Sequence, residues 1–209
     1  MTSIDEDRRP AVPRTVEIEF AGSSVRGQAW PGDPNWVILV HEPGEDLDAW
    51  RDVPASIAAD GCSVLAIDLP GHGLSDDPWA PERIAELVHT LAEFAIAEGA
   101  RKVFVVVAKE IATAAILVRN IDALVALSPT PFSLPPPSWT PPALILVGGS
   151  DAAAAERANA FFRQTRGWAV VSSFGTEEQG TAIFQSPWSQ HALEQTLAFV
   201  RDYRIAPAG

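Results

Sequence analysis

The chain has 209 residues, 47% of them hydrophobic, with no glycine- or serine-rich tract, which suits one globular domain with a sizeable core. A formal charge of −12 sets its long-range field against phosphate backbones and anionic lipid surfaces, so neither nucleic acid nor a membrane is expected as a partner. One cysteine, Cys62, excludes an internal disulfide, and apolar runs such as 103–108 fall far short of the ~20 residues a membrane helix needs.

The first residues, MTSIDEDRRP, carry no apolar core of a signal peptide, and a cytoplasmic location is expected. Residues 1–13 mix charge and proline without periodicity and read as a flexible tail, with the folded domain spanning 14–209. Thr15–Phe20 and Ser24–Trp30 alternate apolar and polar residues around a short AGS turn, which predicts an antiparallel hairpin with one solvated face, placed as an edge ribbon. Beyond it the runs Trp36–Val40, Ser63–Ile67, Val103–Val107, Ala123–Leu127 and Leu144–Val147 are short and wholly apolar, as buried parallel strands are.

Helical segments alternate with these runs. Pro81–Glu98 is the clearest: Ile84, Leu87, Val88, Leu91, Phe94 and Ala95 share one stripe, Pro81 suits a first turn and Gly99 a terminus. Asp46–Asp60, Glu110–Arg119 and Asp151–Arg166 are further helix candidates. The chain closes with a strand over Trp168–Ser173 and a helix opened by Ser186 and Pro187. Such alternation predicts right-handed crossovers on a mainly parallel sheet with helices on both faces, an α/β fold. One crossover is unusual: seven of the fourteen residues from Pro129 to Pro142 are proline, which forbids a helix and predicts an extended spacer or a rigid lip over a pocket.

Four segments in this order resemble the motifs of the α/β-hydrolase family. VILVHEPG (Val37–Gly44) looks like its strand ending in HG, AIDLPGHGLSD (Ala66–Asp76) like its DxPGxGxS turn, and LILVGGSD (Leu144–Asp151) like the strand that ends at the catalytic acid. VVVAKEIATAA (Val105–Ala115) looks like the strand, turn and helix of the nucleophile elbow GxSxG. The likeness spans nearly the whole chain and implies the α/β-hydrolase fold, here without a helical cap, since the proline-rich segment 129–142 stands where members often insert one.

What the resemblance implies about chemistry is loss. Ala108 and Ala112 take the elbow's glycine positions, and Glu110 falls where the serine should be. Asp151 matches the acid. In FGTEEQGTAIF (Phe174–Phe184), similar to an HGT tripeptide found after the last strand of some members, Gln179 replaces the histidine; the rival base, His191, lies 12 residues further on. The oxyanion hole requires two backbone N–H groups. Ile111 is expected to supply one, but the other position is Pro43, which has none, and loss of one donor costs on the order of 10² to 10³ in rate.

Two functions stay open at this point. One is a non-catalytic pseudo-hydrolase serving as a binding or assembly module. Its pocket would be lined by His41, Glu42, Lys109 and Trp139, with Glu42, Glu110 and Asp151 converging to favour a small cationic or amine ligand. The other is a hydrolase of ester, epoxide or halide substrates using Glu110 as carboxylate nucleophile or base, as related dehalogenases and epoxide hydrolases use aspartate, with Asp151 and His191 assisting. A serine elsewhere, Ser128 or Ser150, has no elbow to frame it. Neither a metal nor a cofactor is expected, and a second copy of the chain or another protein is a conceivable partner.

Overall fold

The structure, a computed structural model, describes residues 12–133 and 138–205. Eight strands, β1 (Arg14–Phe20), β2 (Ser23–Trp30), β3 (Asp33–Val40), β4 (Cys62–Ile67), β5 (Lys102–Ala108), β6 (Ala123–Leu127), β7 (Ala143–Gly148) and β8 (Ala169–Phe174), form one sheet. Their order is β1-β2-β4-β3-β5-β6-β7-β8. β1 and β2 are antiparallel, as is β2 with β4; β4, β3, β5, β6, β7 and β8 run parallel.

The apolar runs become β3 to β7 because both sheet faces are covered, so no polar alternation is needed. Helices α2 (Ile84–Ala97), α3 (Lys109–Ala115) and α4 (Ala152–Gln164) pack on one face through side chains such as Leu87, Leu91, Ile111 and Phe161. Helices α1 (Val53–Ala59) and α5 (Ser189–Ile205) cover the other through Ile57, Ala192, Phe199 and Val200. The hairpin keeps its alternation, burying Val16, Ile18 and Phe20 while Glu17 and Glu19 face solvent. Its turn is one residue shorter than expected: Ala21 and Gly22, both at positive φ, make the reversal and Ser23 already pairs with Phe20.

Element ends depart from expectation where local chemistry intervenes. The helix predicted over Asp46–Asp60 is split into a 3₁₀ turn, Leu47–Trp50, and α1, because Arg51 takes a positive φ and Pro54 can sit only in a first turn. Pro81–Arg83 is likewise a 3₁₀ turn ahead of α2. The helix predicted over Glu110–Arg119 ends at Ala115, leaving 116–119 to turn into β6. Before α5 a 3₁₀ turn runs over Gly180–Gln185, and Ser186 Oγ accepts from Trp188 N at 3.1 Å as a cap does.

Much of the expected tail, residues 1–11, lies outside the described residues, as do residues 134–137 of the proline-rich crossover. The described part of that crossover starts over α4, where Phe132 stacks on Phe161 at 5.4 Å and bonds through its backbone to Gln164. No helix among the described residues is long and apolar enough to cross a membrane.

Candidate functional site

The carboxyl ends of β3, β5, β6 and β7 and the loop after β8 bring the motif residues to one end of the sheet. β5 stays in register with β6 through Ala108, which pairs with Leu127. Ala108 is extended (φ −108°, ψ 149°), and Lys109, at φ 49°, makes the sharp turn into α3. The apex of the elbow is therefore Lys109, not Glu110. Glu110 is exposed in the first turn of α3, where the helix dipole favours its charge, and makes no capping bond. Aligning the flanking alanines with glycines misplaces the apex by one residue, because Ala108 is still strand and only one residue remains for the turn. The N–H that follows the apex accordingly belongs to Glu110; Ile111 is buried in the core.

Left-handed backbone at a lysine costs of order 1–2 kcal/mol and persists only where its surroundings enforce it. The surroundings here are an ion pair. Lys109 Nζ lies 2.5 Å from Glu42 Oε1, with the Glu42 side chain 8% exposed and that of Lys109 41%. The other Glu42 oxygen accepts from Thr181 N at 3.3 Å. Gly180 makes room for it: a Cβ there would sit 1.7 Å from Glu42 Oε2, and the glycine's φ of +61° lies in the left-handed region that L side chains rarely adopt. Burial raises the Glu42 carboxyl above its usual range, while Lys109 pulls it back down. Thr181 Oγ1 donates to the Glu45 carboxylate beside it.

Gln179 is equally committed. Its amide donates to Gly148 O at 2.8 Å and Glu177 O at 3.0 Å, and its Oε1 accepts from Ser128 Oγ at 2.6 Å. Ser128, at φ 49° and 7% exposed, accepts in turn from Gly180 N at 3.1 Å. An amide side chain has no proton-accepting nitrogen, so this serine has no base. Asp151 does not join the network: its Oδ1 caps α4 by accepting from Ala153 N at 2.9 Å and Ala154 N at 3.1 Å. Ser150 is joined by its backbone N–H to Thr176 O.

The remaining candidates are dispersed. His41 is fully buried rather than facing a pocket: Nδ1 donates to Glu42 O at 2.9 Å and Nε2 accepts from Leu69 N at 3.0 Å. Burial lowers its pKa, in keeping with a neutral ring. Pro43 follows Glu42 and offers no N–H. His191 is exposed near the start of α5, its ring edge-on to Trp188. Trp139 belongs to the opposite end of the sheet, since by that point the crossover has returned to the start of β7; it lies 6.0 Å from the guanidinium of Arg119.

Glu42, Glu110 and Asp151 are thus not brought together. One is paired, one solvated and one used as a cap, and among the described residues no group of three or more His, Cys, Asp or Glu is placed to hold a metal ion. Among the described residues, four of the better-formed clefts, of about 190–430 Å³, are lined by none of Glu42, Lys109, Glu110, Asp151 and Gln179. Lys109 was expected to line a pocket with Glu42, and Ser128 was weighed only as a serine without an elbow to frame it. The sequence did not show that the lysine stands at the apex, which follows from the strand continuing through Ala108, nor that Gly180 and Thr181 join the cluster, which the fold alone brings in.

No family model and no curated protein sequence matches this chain. Solved structures do match its shape. An esterase from Exiguobacterium antarcticum superposes with a TM-score of 0.71 at 13% identity, over 88% of this chain and 98% of that one. The Pyrobaculum calidifontis esterase gives 0.69 at 16%, over 93% and 86%. The carboxylesterase EstE1, cloned from a metagenomic library, gives 0.71 at 16%, over 96% and 92%. At these identities the likeness establishes the fold alone: the chain has the α/β-hydrolase fold.

Proposed function

We propose that this α/β-hydrolase-fold protein has no acyl-transfer chemistry and serves as a binding or assembly module. The observation that carries the proposal is the ion pair at the elbow. The apex side chain is an ammonium neutralised by a buried carboxylate, so the position from which a nucleophile would attack holds a cation with no free electron pair. Three further features support it: Pro43 lacks the second oxyanion donor, Gln179 cannot accept a proton, and Asp151 is used in a helix cap. A preference for a cationic ligand is not part of the proposal, because Glu42 already has its cation in Lys109. The cytoplasmic setting expected from the polar first residues and the lone cysteine is kept with it.

The rival reading makes Glu110 the nucleophile or base of an ester, epoxide or halide hydrolase. It lacks support, since a solvated carboxylate needs a positioned partner to resolve an ester intermediate and neither Asp151 nor His191 contacts it. The test is to incubate the purified protein with a serine-directed fluorophosphonate and with panels of short acyl esters, epoxides and haloalkanes. The expected result is no labelling and no turnover. Labelling of any serine, or turnover that Glu110→Gln abolishes, overturns the proposal.

A further inference from the structure

The two edges of the sheet are built differently. β1 carries Arg14, Glu17 and Glu19 on its exposed positions, charges of the kind that keep an open edge from pairing with another strand. The segment 168–174, WAVVSSF, which includes β8, carries no charge at all. Ala143 N bonds to Trp168 O and Gly149 N to Phe174 O, so the even-numbered residues of β8 turn their main chain toward β7. Parallel pairing then directs the N–H and C=O groups of Ala169, Val171 and Ser173 outward. No backbone hydrogen bond among the described residues reaches them from that side.

Beside this bare edge lies an apolar stripe on the α5 face. Trp168 is 57% exposed and stacks on Phe199, Val170 is 39% exposed, and Trp188, 38% exposed, packs on Phe174. The ends of the strand differ in charge: exposed Arg166 precedes it and exposed Glu177 and Glu178 follow it.

We infer that β8 is a pairing edge for a second copy of this chain, joined antiparallel about a two-fold axis near Val171. That register pairs the outward main chain of Val171 with its symmetry mate and that of Ala169 with Ser173 of the other copy, which satisfies every free group. It sets Trp168 of each copy across from Phe174 and beside Trp188 of the other, so each exposed ring meets an aromatic surface. It also lays Arg166 of each copy next to Thr176 and Glu177 of the other. An antiparallel copy matches positive end to negative end, whereas a parallel one would set like charges together; this complementarity selects the second copy as occupant. The pairing uses neither Lys109 nor Glu42, so the inference stands or falls apart from the proposal that the elbow is silent.

The experiment measures the solution mass of the full chain by sedimentation and light scattering, together with hydrogen exchange at β8. The expected species at tens of micromolar is a dimer in which the amides of Ala169, Val171 and Ser173 exchange slowly. Val170→Lys, a half-exposed edge position, should yield monomer. Arg166→Glu should weaken association roughly tenfold, since two symmetry-related contacts are lost, and adding Glu177→Arg should recover it. A monomer with slow β8 amides would assign the edge to another segment of the same chain, and a monomer with fast amides would leave it to a different protein; either overturns the inference. So does a dimer indifferent to Val170→Lys, or one that the charge swap fails to recover.

Discussion

Two loops at the same end of the sheet have fared differently against the motifs they resemble. In the turn after β4 the matching residues hold the backbone. Asp68, 5% exposed, accepts from Leu47 N at 2.7 Å and Leu74 N at 2.9 Å, and Ser75 Oγ donates to Asp68 O while accepting from Arg26 N. His41 and His72 stitch this turn to the loop after β3 reciprocally, one accepting from Leu69 N and the other from Gly44 N. In the elbow after β5 the sharp turn is present, but apex, donor and base positions hold Lys109, Pro43 and Gln179. The difference follows what each residue does for folding. Removing a buried acceptor strands N–H groups at about 1–3 kcal/mol each. A nucleophile or a base contributes no such bonds, and its replacement is harmless to the fold once the newcomers satisfy one another, as Glu42 and Lys109 do.

The strongest way to break this contrast is Asp68→Ala, which leaves the amides of Leu47 and Leu74 without an acceptor in a buried turn. We expect a loss of roughly 3 kcal/mol in unfolding free energy, read from the urea midpoint. Gly73 reports the same packing, since a Cβ there would lie 2.3 Å from the Asp68 carboxyl carbon. A loss below about 0.5 kcal/mol, the range of ordinary surface changes, would mean that the motif turn is not what holds this end of the sheet.

A smaller effect is expected at the elbow. Lys109→Met removes the cation from buried Glu42, and because the lysine is 41% exposed and screened by solvent the cost should be only about 1 kcal/mol. The double variant Lys109→Met with Glu42→Gln should recover most of it, a non-additivity that marks a direct pair. The pH dependence has a definite sign. Glu42 binds its proton more tightly in the folded chain than in the unfolded one, so its contribution to stability is lost as pH rises from about 4.3 upward, and Lys109→Met should steepen that loss. Equal slopes for the two proteins would dissolve the pair as an energetic unit.

The fold was legible because its signals are redundant: five apolar runs, one clear amphipathic helix and four motif segments in a fixed order all point to one sheet. The site was legible only in part. Pro43 and Gln179 announce lost functions by identity alone, since proline has no N–H and an amide has no base. The apex was missed by one residue because residue type at the flanking positions does not say where a strand ends; the Ala108–Leu127 pairing does. The supposed convergence of Glu42, Glu110 and Asp151 was missed for a different reason. Nearness of strand ends does not fix where side chains point, and each carboxylate has its own local setting, paired with Lys109, capping α4 or exposed, that a motif cannot show. Trp139 was misplaced although its place was legible: a crossover between parallel strands must return to the start of the next one, and Trp139 comes just before β7.

The subtlest expected effect sharpens the comparison by giving the two loops opposite responses to acid. His41 is buried, and burial disfavours its charged form, so its folded pKa lies below that of the unfolded chain. The unfolded state therefore takes up a proton first as pH falls below about 6.5, and the stability that neutral His41 contributes, complete above that value, drains away toward its lowered folded pKa. Protonation would also put a proton on Nε2, the atom that accepts from Leu69 N. The turn stitched by His41 thus weakens with acid, while the Glu42 site weakens with base. An imidazole titration followed by NMR should show the His41 ring still neutral as pH falls through about 6.5, the ordinary imidazole value. If the ring charges at that value or above, His41 is not sealed, and the division between a backbone-holding loop and a vacated elbow loses one of its two supports.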